Sequence, residues 1–337
     1  MSNLNDLTAL ALPSGSQLVA DATESRLSLS LDGQPLIRLR LDREGQGPIQ
    51  IDERYALPPG QALWAACYWL FAREPARQQL IWQLDQAPTE ALLSGLLVST
   101  EVAGEYRCER TLFWQLPQPW LGASLTGSYP QQVVISNGKR HPLRPVKPRG
   151  EVYRRFDARL GAWISLRTVE IEQDLARFNR WQNSPRVASF WQEEGSLEQH
   201  REYLSKLDAD PHTLTLIGCF DDQPFAYFEA YWAKEDRIAP FYDADNYDRG
   251  IHMLVGEEDH RGPHKVASWL SALVHYLFLD DPRTQRVVAE PRADNAKMIG
   301  HMHNQCFHCE KEFDFPHKRA ALMILGRERF FDRCTLV

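Results

Sequence analysis

The stretch Asp248–Asn295 concentrates the residues able to do chemistry. An apolar segment, Ile251–Val255, carries one imidazole, His252. A second apolar segment, Arg286–Ala289, ends on the carboxylate of Glu290. Between them lie the turn Arg261-Gly262-Pro263-His264 and a long helical run. An imidazole and a carboxylate delivered by neighbouring strands suit proton transfer. A tight turn opening a helix leaves backbone N–H groups unpaired, which suits a phosphate. Open α/β sheets bind ligands in the crevice at their strand ends. The combination points to a phosphate-bearing cofactor held beside acid/base chemistry. Taken singly, His252 could be a structural strand histidine, and Glu290 could cap a turn or pair with Arg292.

The elements that must position these residues are regular. The pattern predicts strands at Trp163–Val169, Leu214–Phe220, Phe225–Trp232, Ile251–Val255, Arg286–Ala289, Phe307–Phe313 and Ala320–Leu325. Helices are expected over Glu172–Trp181, Leu197–Leu207 with Ser196 as N-cap, Val266–Leu279 and Ala296–His303. The order β-α-α-β-β-β-α-β-α-β-β describes an α/β fold with a mixed sheet and helices packed on it. Upstream, Arg26–Leu31 and Leu36–Leu41 read as a hairpin across Asp32-Gly33. Gly60–Arg73 and Thr89–Leu97 read as helices, Gln79–Leu84 and Tyr106–Gln115 as strands. Thr126–Arg149 holds Pro130, Pro142, Pro145 and Pro148 and reads as a linker. It divides the chain into a companion domain, 1–148, and a chemistry-bearing domain, 149–337.

A chain of 337 residues is comfortable for two domains. Its formal charge of −7 argues against a nucleic-acid partner. No run approaches the roughly 18 apolar residues of a membrane span, and the N-terminus lacks the pattern of an export signal. Six cysteines without such a signal read as reduced thiols, and the chain reads as cytoplasmic. The densest metal-like cluster is His301, His303, Cys306, His308 and Cys309. No distant second pair completes a zinc module, so no metal is expected.

The element order resembles the GNAT acyl-CoA transferase fold. Within it, GEVYRRFD (Gly150–Asp157), LIGCFDD (Leu216–Asp222) and YFEAYWAKEDRI (Tyr227–Ile238) resemble the siderophore-pathway acetyltransferases. So do DRGIHMLVG (Asp248–Gly256), DDPRTQRVVAEPRADN (Asp280–Asn295) and KEFDFPHKR (Lys311–Arg319). The first half matches mainly in length and in patches such as Phe113–Pro117, and is read as a degenerate, GNAT-like companion. The resemblance implies acetyl-CoA, or another acyl-CoA, as co-substrate. The acceptor it implies is N-hydroxylysine or N-hydroxyornithine, made by an N-hydroxylating monooxygenase and used by a siderophore synthetase. His252 and Glu290 match the catalytic pair. Backbone N–H groups at Leu254 and Val255, where a strand bulge is usual, match the thioester cradle. His260, Arg261, Gly262, His264 and Lys265 match the pyrophosphate loop, although it has a single Gly. Asn295, which reads as a helix N-cap, joins the cofactor-contacting set. Trp191, Glu229, Trp232, Asp236 and Lys318 are candidates for the acceptor pocket. The Tyr that many GNAT enzymes place on the helix after Asn295 is replaced at that spacing by Met302. Two other readings stay open: transfer of a succinyl or acetyl group to an N-hydroxylated diamine such as hydroxycadaverine or hydroxyputrescine, and a non-catalytic acyl-CoA scaffold.

Overall fold

A computed structural model describes residues 8–336, apart from 24, 43–46, 56–57, 123–130, 317 and 335. They form two compact units. One holds the described residues up to Trp120 with Arg155–Ala162, and the other Leu121–Arg154 with Trp163–Leu336.

The first unit contains β1 (Ala9–Ala11), β2 (Gln17–Ala22), β3 (Arg26–Leu31), β4 (Gln34–Arg40) and β5 (Ile49–Arg54). Helix α1 (Pro59–Arg73), β6 (Gln79–Gln83), α2 (Thr89–Leu93), β7 (Val98–Ser99), β8 (Glu105–Glu109) and α3 (Arg110–Phe113) follow. The hairpin expected at Asp32-Gly33 is present. Both turn residues have positive φ, 50° and 79°, as a two-residue hairpin turn requires. Two expectations fall short. Helix α2 stops at Leu93 because Gly95 turns the chain with φ 78°. The strand expected over Tyr106–Gln115 ends at Glu109, and a short helix takes its second half.

The proline-rich stretch is more than a linker. Its residues 126–130, Pro130 included, lie outside the described residues. The remainder forms a hairpin, β9 (Val133–Ser136) and β10 (Lys139–Pro142), paired in antiparallel register. Arg144 then makes a two-pronged ion pair with Glu235, at 2.5 Å from both Nε and Nη2. Lys147 donates to the carbonyls of Leu207, Asp208 and Thr213 at 2.7–3.1 Å. Buried ion pairs and main-chain bonds of this kind fix a segment that composition alone describes as loose.

The second sheet is built from β11 (Glu151–Asp157), β12 (Ala162–Thr168), β13 (Thr213–Phe220), β14 (Gln223–Trp232), β15 (Arg249–Val255), β16 (Arg286–Ala289), β17 (His308–Asp314) and β18 (Arg319–Gly326). Helices α4 (Ile171–Gln182), α5 (Pro185–Trp191) and α6 (Leu197–Ala209) fill the β12–β13 connection. Helix α7 (Pro263–Asp280) lies between β15 and β16, α8 (Ala296–Asn304) between β16 and β17, and α9 (Arg327–Arg333) after β18. Helix α5 lies outside the expected elements: Pro185 starts it at N1, where its missing N–H costs nothing. Helix α6 has the expected Ser196 cap, completed by Gln199 into a capping box. Helix α7 is buried all round from Trp269 to Leu279, so it forms the centre of this core.

The two sheets share one topology. Their strand orders are β1-β2-β3-β4-β5-β6-β8-β7 and β11-β12-β13-β14-β15-β16-β18-β17. The parallel neighbours are β5–β6 and β15–β16, each joined through the central helix of its unit, α1 or α7. The first unit is therefore a topological repeat of the second, without the α4–α6 layer. Its parallel pair Ile49–Trp82 corresponds to Arg249–Val287. Counting three residues on from each, His252 matches Asp52 and Glu290 matches Asp85, so the repeat carries no imidazole there.

Candidate active site

Strands β15 and β16 pair through only two residues, Arg249–Val287 and Gly250–Val288. Beyond Gly250 and Val288 they part, and a cavity of about 1450 Å³ opens there. Its wall includes Ile251–Val255, Ala289–Pro291, Tyr203 and Trp191. Strand β15 keeps unbroken register with β14 along its length. The bulge expected near Leu254 and Val255 is therefore absent, and the register shift of this region falls between Gly218 and Cys219 on β13. Both residues still line the cavity. Divergence of the two strands exposes β15 there without an inserted residue.

The β14–β15 register puts Glu229 opposite His252 and Tyr231 opposite Gly250, all on one face. His252 Nδ1 lies 2.8 Å from Glu229 Oε2, and its Nε2 lies 2.7 Å from Glu290 Oε1. The imidazole is thus held between two carboxylates. Tyr231 donates to the second Glu290 oxygen at 2.7 Å. Tyr203 and Tyr227 donate to Glu229 Oε1 at 2.5 and 2.9 Å. Both carboxylates are buried, while the His252 side chain keeps 20% of its surface open to the cavity. A group that touches the cavity with both nitrogens bonded has a fixed ring plane.

The charges follow from this arrangement. Burial alone would lower the His252 pKa. The charge of Glu290, the hydrogen bond to Glu229 and their mutual effects raise it instead, to about 10. Burial pushes Glu290 up, but the His252 charge and hydrogen bond, with Lys318 and Tyr231, bring it down to about 2. Glu229 is likewise lowered against its burial, chiefly by the His252 bond. The resting site is an imidazolium between two carboxylates.

The anion-binding end is at the start of α7. Gly262 precedes it with φ 124° and ψ 153°, a conformation that L side chains rarely adopt. A Cβ there would also meet His264 Cε1 at 2.9 Å. Among the described residues, no side chain caps this helix start. In the first unit, by contrast, Gly60 near the start of α1 donates its N–H to the Glu90 carboxylate at 3.1 Å. Arg261 lines the cavity with Gly262. Arg186, which joins them, donates to the carbonyls of Val255 and Gly256 at 2.8 and 3.0 Å.

The structure brings together His252, Glu290, Glu229, Leu254, Val255, Arg261, Gly262, Asn295, Trp191, Asp236 and Lys318 around one cavity. Four expected residues are set elsewhere. Trp232 is buried and holds the guanidinium groups of Arg144 and Arg249 at 4.2 and 4.1 Å from its ring centroid, so it braces the fold and does not wall the pocket. His260 stacks on Phe220. Lys265 donates to the Asp259 carbonyl at 3.0 Å. His264 lies beside Gly262 and outside the lining. Asn295 Oδ1 accepts the Met298 N–H at 3.2 Å, so its side chain is spent on the α8 cap. Met302 is fully buried and supplies no proton donor to the cavity. Among the described residues, no group of three or more His, Cys, Asp or Glu side chains is arranged to hold a metal.

The sequence does not single out the three tyrosines or Arg186, and it places Glu229 in the pocket without its bond to His252. A signal for part of this was present. Tyr227, Glu229 and Tyr231 alternate on a strand that is otherwise apolar, which places three polar tips on one face. Tyr203 comes from the α6 layer, and nothing local shows that its hydroxyl meets Glu229.

Residues 170–315 match the acetyltransferase (GNAT) domain profile. Over 232 residues the chain is 49% identical to a putative lysine N-acyltransferase of Schizosaccharomyces pombe, covering 68% of this chain and 69% of that protein. Over 228 residues it is 45% identical to an N(6)-hydroxylysine O-acetyltransferase of Escherichia coli, covering 67% and 72%. An N(5)-hydroxyornithine:cis-anhydromevalonyl coenzyme A-N(5)-transacylase of Beauveria bassiana is 42% identical over 276 residues, which cover 80% of this chain and 57% of that one. Among solved structures, an uncharacterized protein of Bacillus halodurans superposes with a TM-score of 0.53 at 28% identity, over 55% of this chain and 95% of that one.

Proposed function

The chain is a GNAT acyltransferase of the group that includes the hydroxylysine and hydroxyornithine acyltransferases, and we propose that it acylates an N-hydroxylated amino acid, N6-hydroxylysine or N5-hydroxyornithine, on nitrogen. The product is a hydroxamate for siderophore biosynthesis. The unit formed by Leu121–Arg154 and Trp163–Leu336 carries the chemistry, and the unit holding the described residues up to Trp120 is a non-catalytic companion. The observation that carries this reading is the 2.7 Å contact of His252 and Glu290 at the point where β15 and β16 part.

An acyl-CoA supplies the acyl carbon as a thioester. The residues present fit it: the uncapped start of α7, the backbone freedom at Gly262 and the cations Arg186 and Arg261 suit a pyrophosphate. The exposed edge of β15 at Leu254 and Val255 suits a pantetheine arm and a polarised carbonyl.

A hydroxylamine nitrogen is weakly basic, so it is largely neutral at pH 7 and needs little activation. His252 is already protonated and cannot take its proton directly. Glu290 is the base. The proton passes to the Glu290 carboxylate, whose charge the His252 imidazolium had balanced across the 2.7 Å bond, and from there to the departing thiolate, which leaves as the thiol. The pair then regains its starting charge. Glu229 holds the ring from the other side, and Tyr231 fixes the Glu290 carboxylate. We place the reaction in the cytoplasm, after an N-hydroxylating monooxygenase and before a siderophore synthetase, since the acceptor must carry its N–OH beforehand.

The relatives' names differ on whether nitrogen or oxygen is acylated, and the product decides. Thiol release from acetyl-, succinyl- and longer acyl-CoA, read with hydroxylysine and hydroxyornithine, tests the reaction. An iron(III)–hydroxamate colour identifies the N-acyl product, and thiol release without that colour contradicts the proposal.

A further inference from the structure

Among the described residues, no carboxylate lies at hydrogen-bonding distance from two cations beside the acid/base pair, Arg237 and Lys318. Lys318 Nζ donates to the main-chain oxygen of Glu290 at 2.8 Å and lies 5.5 Å from the Phe315 ring centroid. The Arg237 guanidinium lies over the same ring at 5.6 Å, with Nη2 3.9 Å from Glu290 Oε1. That oxygen already accepts from His252, and its partner oxygen accepts from Tyr231. Asp236, the next acid along, accepts the Ile238 N–H and faces His212 at 3.9 Å. Burial lowers the Lys318 pKa. Glu290 offsets this, while Arg237 and Arg292 add to it, so the cations repel one another across the cavity wall. Glu290 is an anion beside both, but its two carboxylate oxygens are already bonded, so a further carboxylate is favoured there.

We propose that Arg237 and Lys318 form a subsite for the α-carboxylate of the acceptor, which makes the enzyme select a hydroxylated amino acid over the corresponding diamine. The subsite rests on the acyltransfer reading of this cavity. Lys318 sits at the main-chain end of Glu290, away from the carboxylate that meets the reacting nitrogen, and Arg237 reaches from beside that carboxylate to the Phe315 ring it shares with Lys318. That arrangement suits an acceptor whose nucleophile and carboxylate are separated by an alkyl chain. Glu193 and Asp210 line the same cavity and complement the α-ammonium group. A diamine keeps its ammonium and lacks only the carboxylate, so the two cations alone discriminate between the acceptors. A charge-assisted contact to the more buried Lys318 is worth roughly tenfold to a hundredfold in affinity, and half-exposed Arg237 adds less.

The test compares N6-hydroxylysine with N-hydroxycadaverine, its decarboxylated counterpart, in the full chain with acetyl-CoA. The wild type is expected to favour hydroxylysine in kcat/KM by about tenfold to a hundredfold, mainly through KM. Arg237→Gln, Lys318→Gln and the double variant are expected to move that ratio toward one, with the double variant lowest. Equal wild-type turnover of the two acceptors overturns the subsite, and so do variants that lower both acceptors by the same factor. No turnover of either acceptor overturns the acyltransfer reading, and the subsite with it.

Discussion

Tyr231 and Gly250 stand opposite each other on β14 and β15, and the tyrosine ring occupies the space a side chain at position 250 would need. A Cβ on Gly250 would lie 2.0 Å from Cε2 and Cζ of that ring. The missing side chain lets the ring lie across β15 and its hydroxyl reach Glu290 on the far side. One glycine thus links the last paired residues of the splayed strands to the orientation of the acid/base pair.

Gly250→Ala is expected to lower both the melting temperature and kcat. Overpacking of a filled core costs about 1–3 kcal/mol, and this contact is closer than most. Tyr231→Ala removes the clash partner. The double variant should therefore lose less stability than the sum of the two single changes. Additive losses in thermal denaturation contradict this packing account.

His252→Ala and Glu290→Gln are each expected to lower kcat, near the lower end of the roughly 10²–10⁴-fold that acid–base catalysis supplies. A hydroxylamine needs little help, which sets the low end. Tyr231→Phe keeps the ring and removes one hydrogen bond to Glu290, so its loss should be about tenfold or less. Steady-state kinetics on folded variants decide this. Full activity in either of the first two variants contradicts the proton path.

Gly262→Asp is expected to raise KM for acyl-CoA far more than KM for the acceptor. The substitution imposes a side chain at φ 124°, against His264, and adds negative charge at an anion-binding helix start. An unchanged acyl-CoA KM with a raised acceptor KM assigns the turn another task.

Much of this was legible in the sequence. His252 and Glu290 stood out because each was a polar group at a set place on an apolar strand. The order of elements around them sufficed for the fold. Glu229 and its tyrosines were harder, since their role depends on which strand pairs with which and in what register. Trp232 misled because a large aromatic side chain near a cavity suits a pocket wall as well as a brace, and only the positions of Arg144 and Arg249 separate the two. Residues 131–149 misled for a related reason. Their prolines describe local stiffness, whereas Glu235 and the carbonyls at the end of α6, which hold them, lie far along the chain.

The charged cluster also predicts a pH signature in stability. The folded pKa of His252, about 10, is above its ordinary value, so its contribution is complete below roughly pH 6.5 and is lost as pH rises toward 10. Glu290 is depressed to about 2, so its contribution is complete above roughly pH 4.5 and is lost as pH falls toward 2. The melting-temperature advantage of the wild type over His252→Gln should therefore shrink steadily between about pH 7 and 10. A constant difference across that range contradicts a protonated His252.

Whether the site acts on an N–OH group is measured directly by kcat/KM for N6-hydroxylysine against lysine with acetyl-CoA. Lysine is mostly protonated at neutral pH, and a pocket shaped to hydrogen-bond a hydroxyl leaves its own polar groups unpaired against an analogue without one. Such sites reject that analogue by about 10⁴–10⁵-fold. The expected result is turnover of hydroxylysine to an iron(III)-binding hydroxamate and a kcat/KM for lysine lower by orders of magnitude. Equal turnover of the two amines contradicts it.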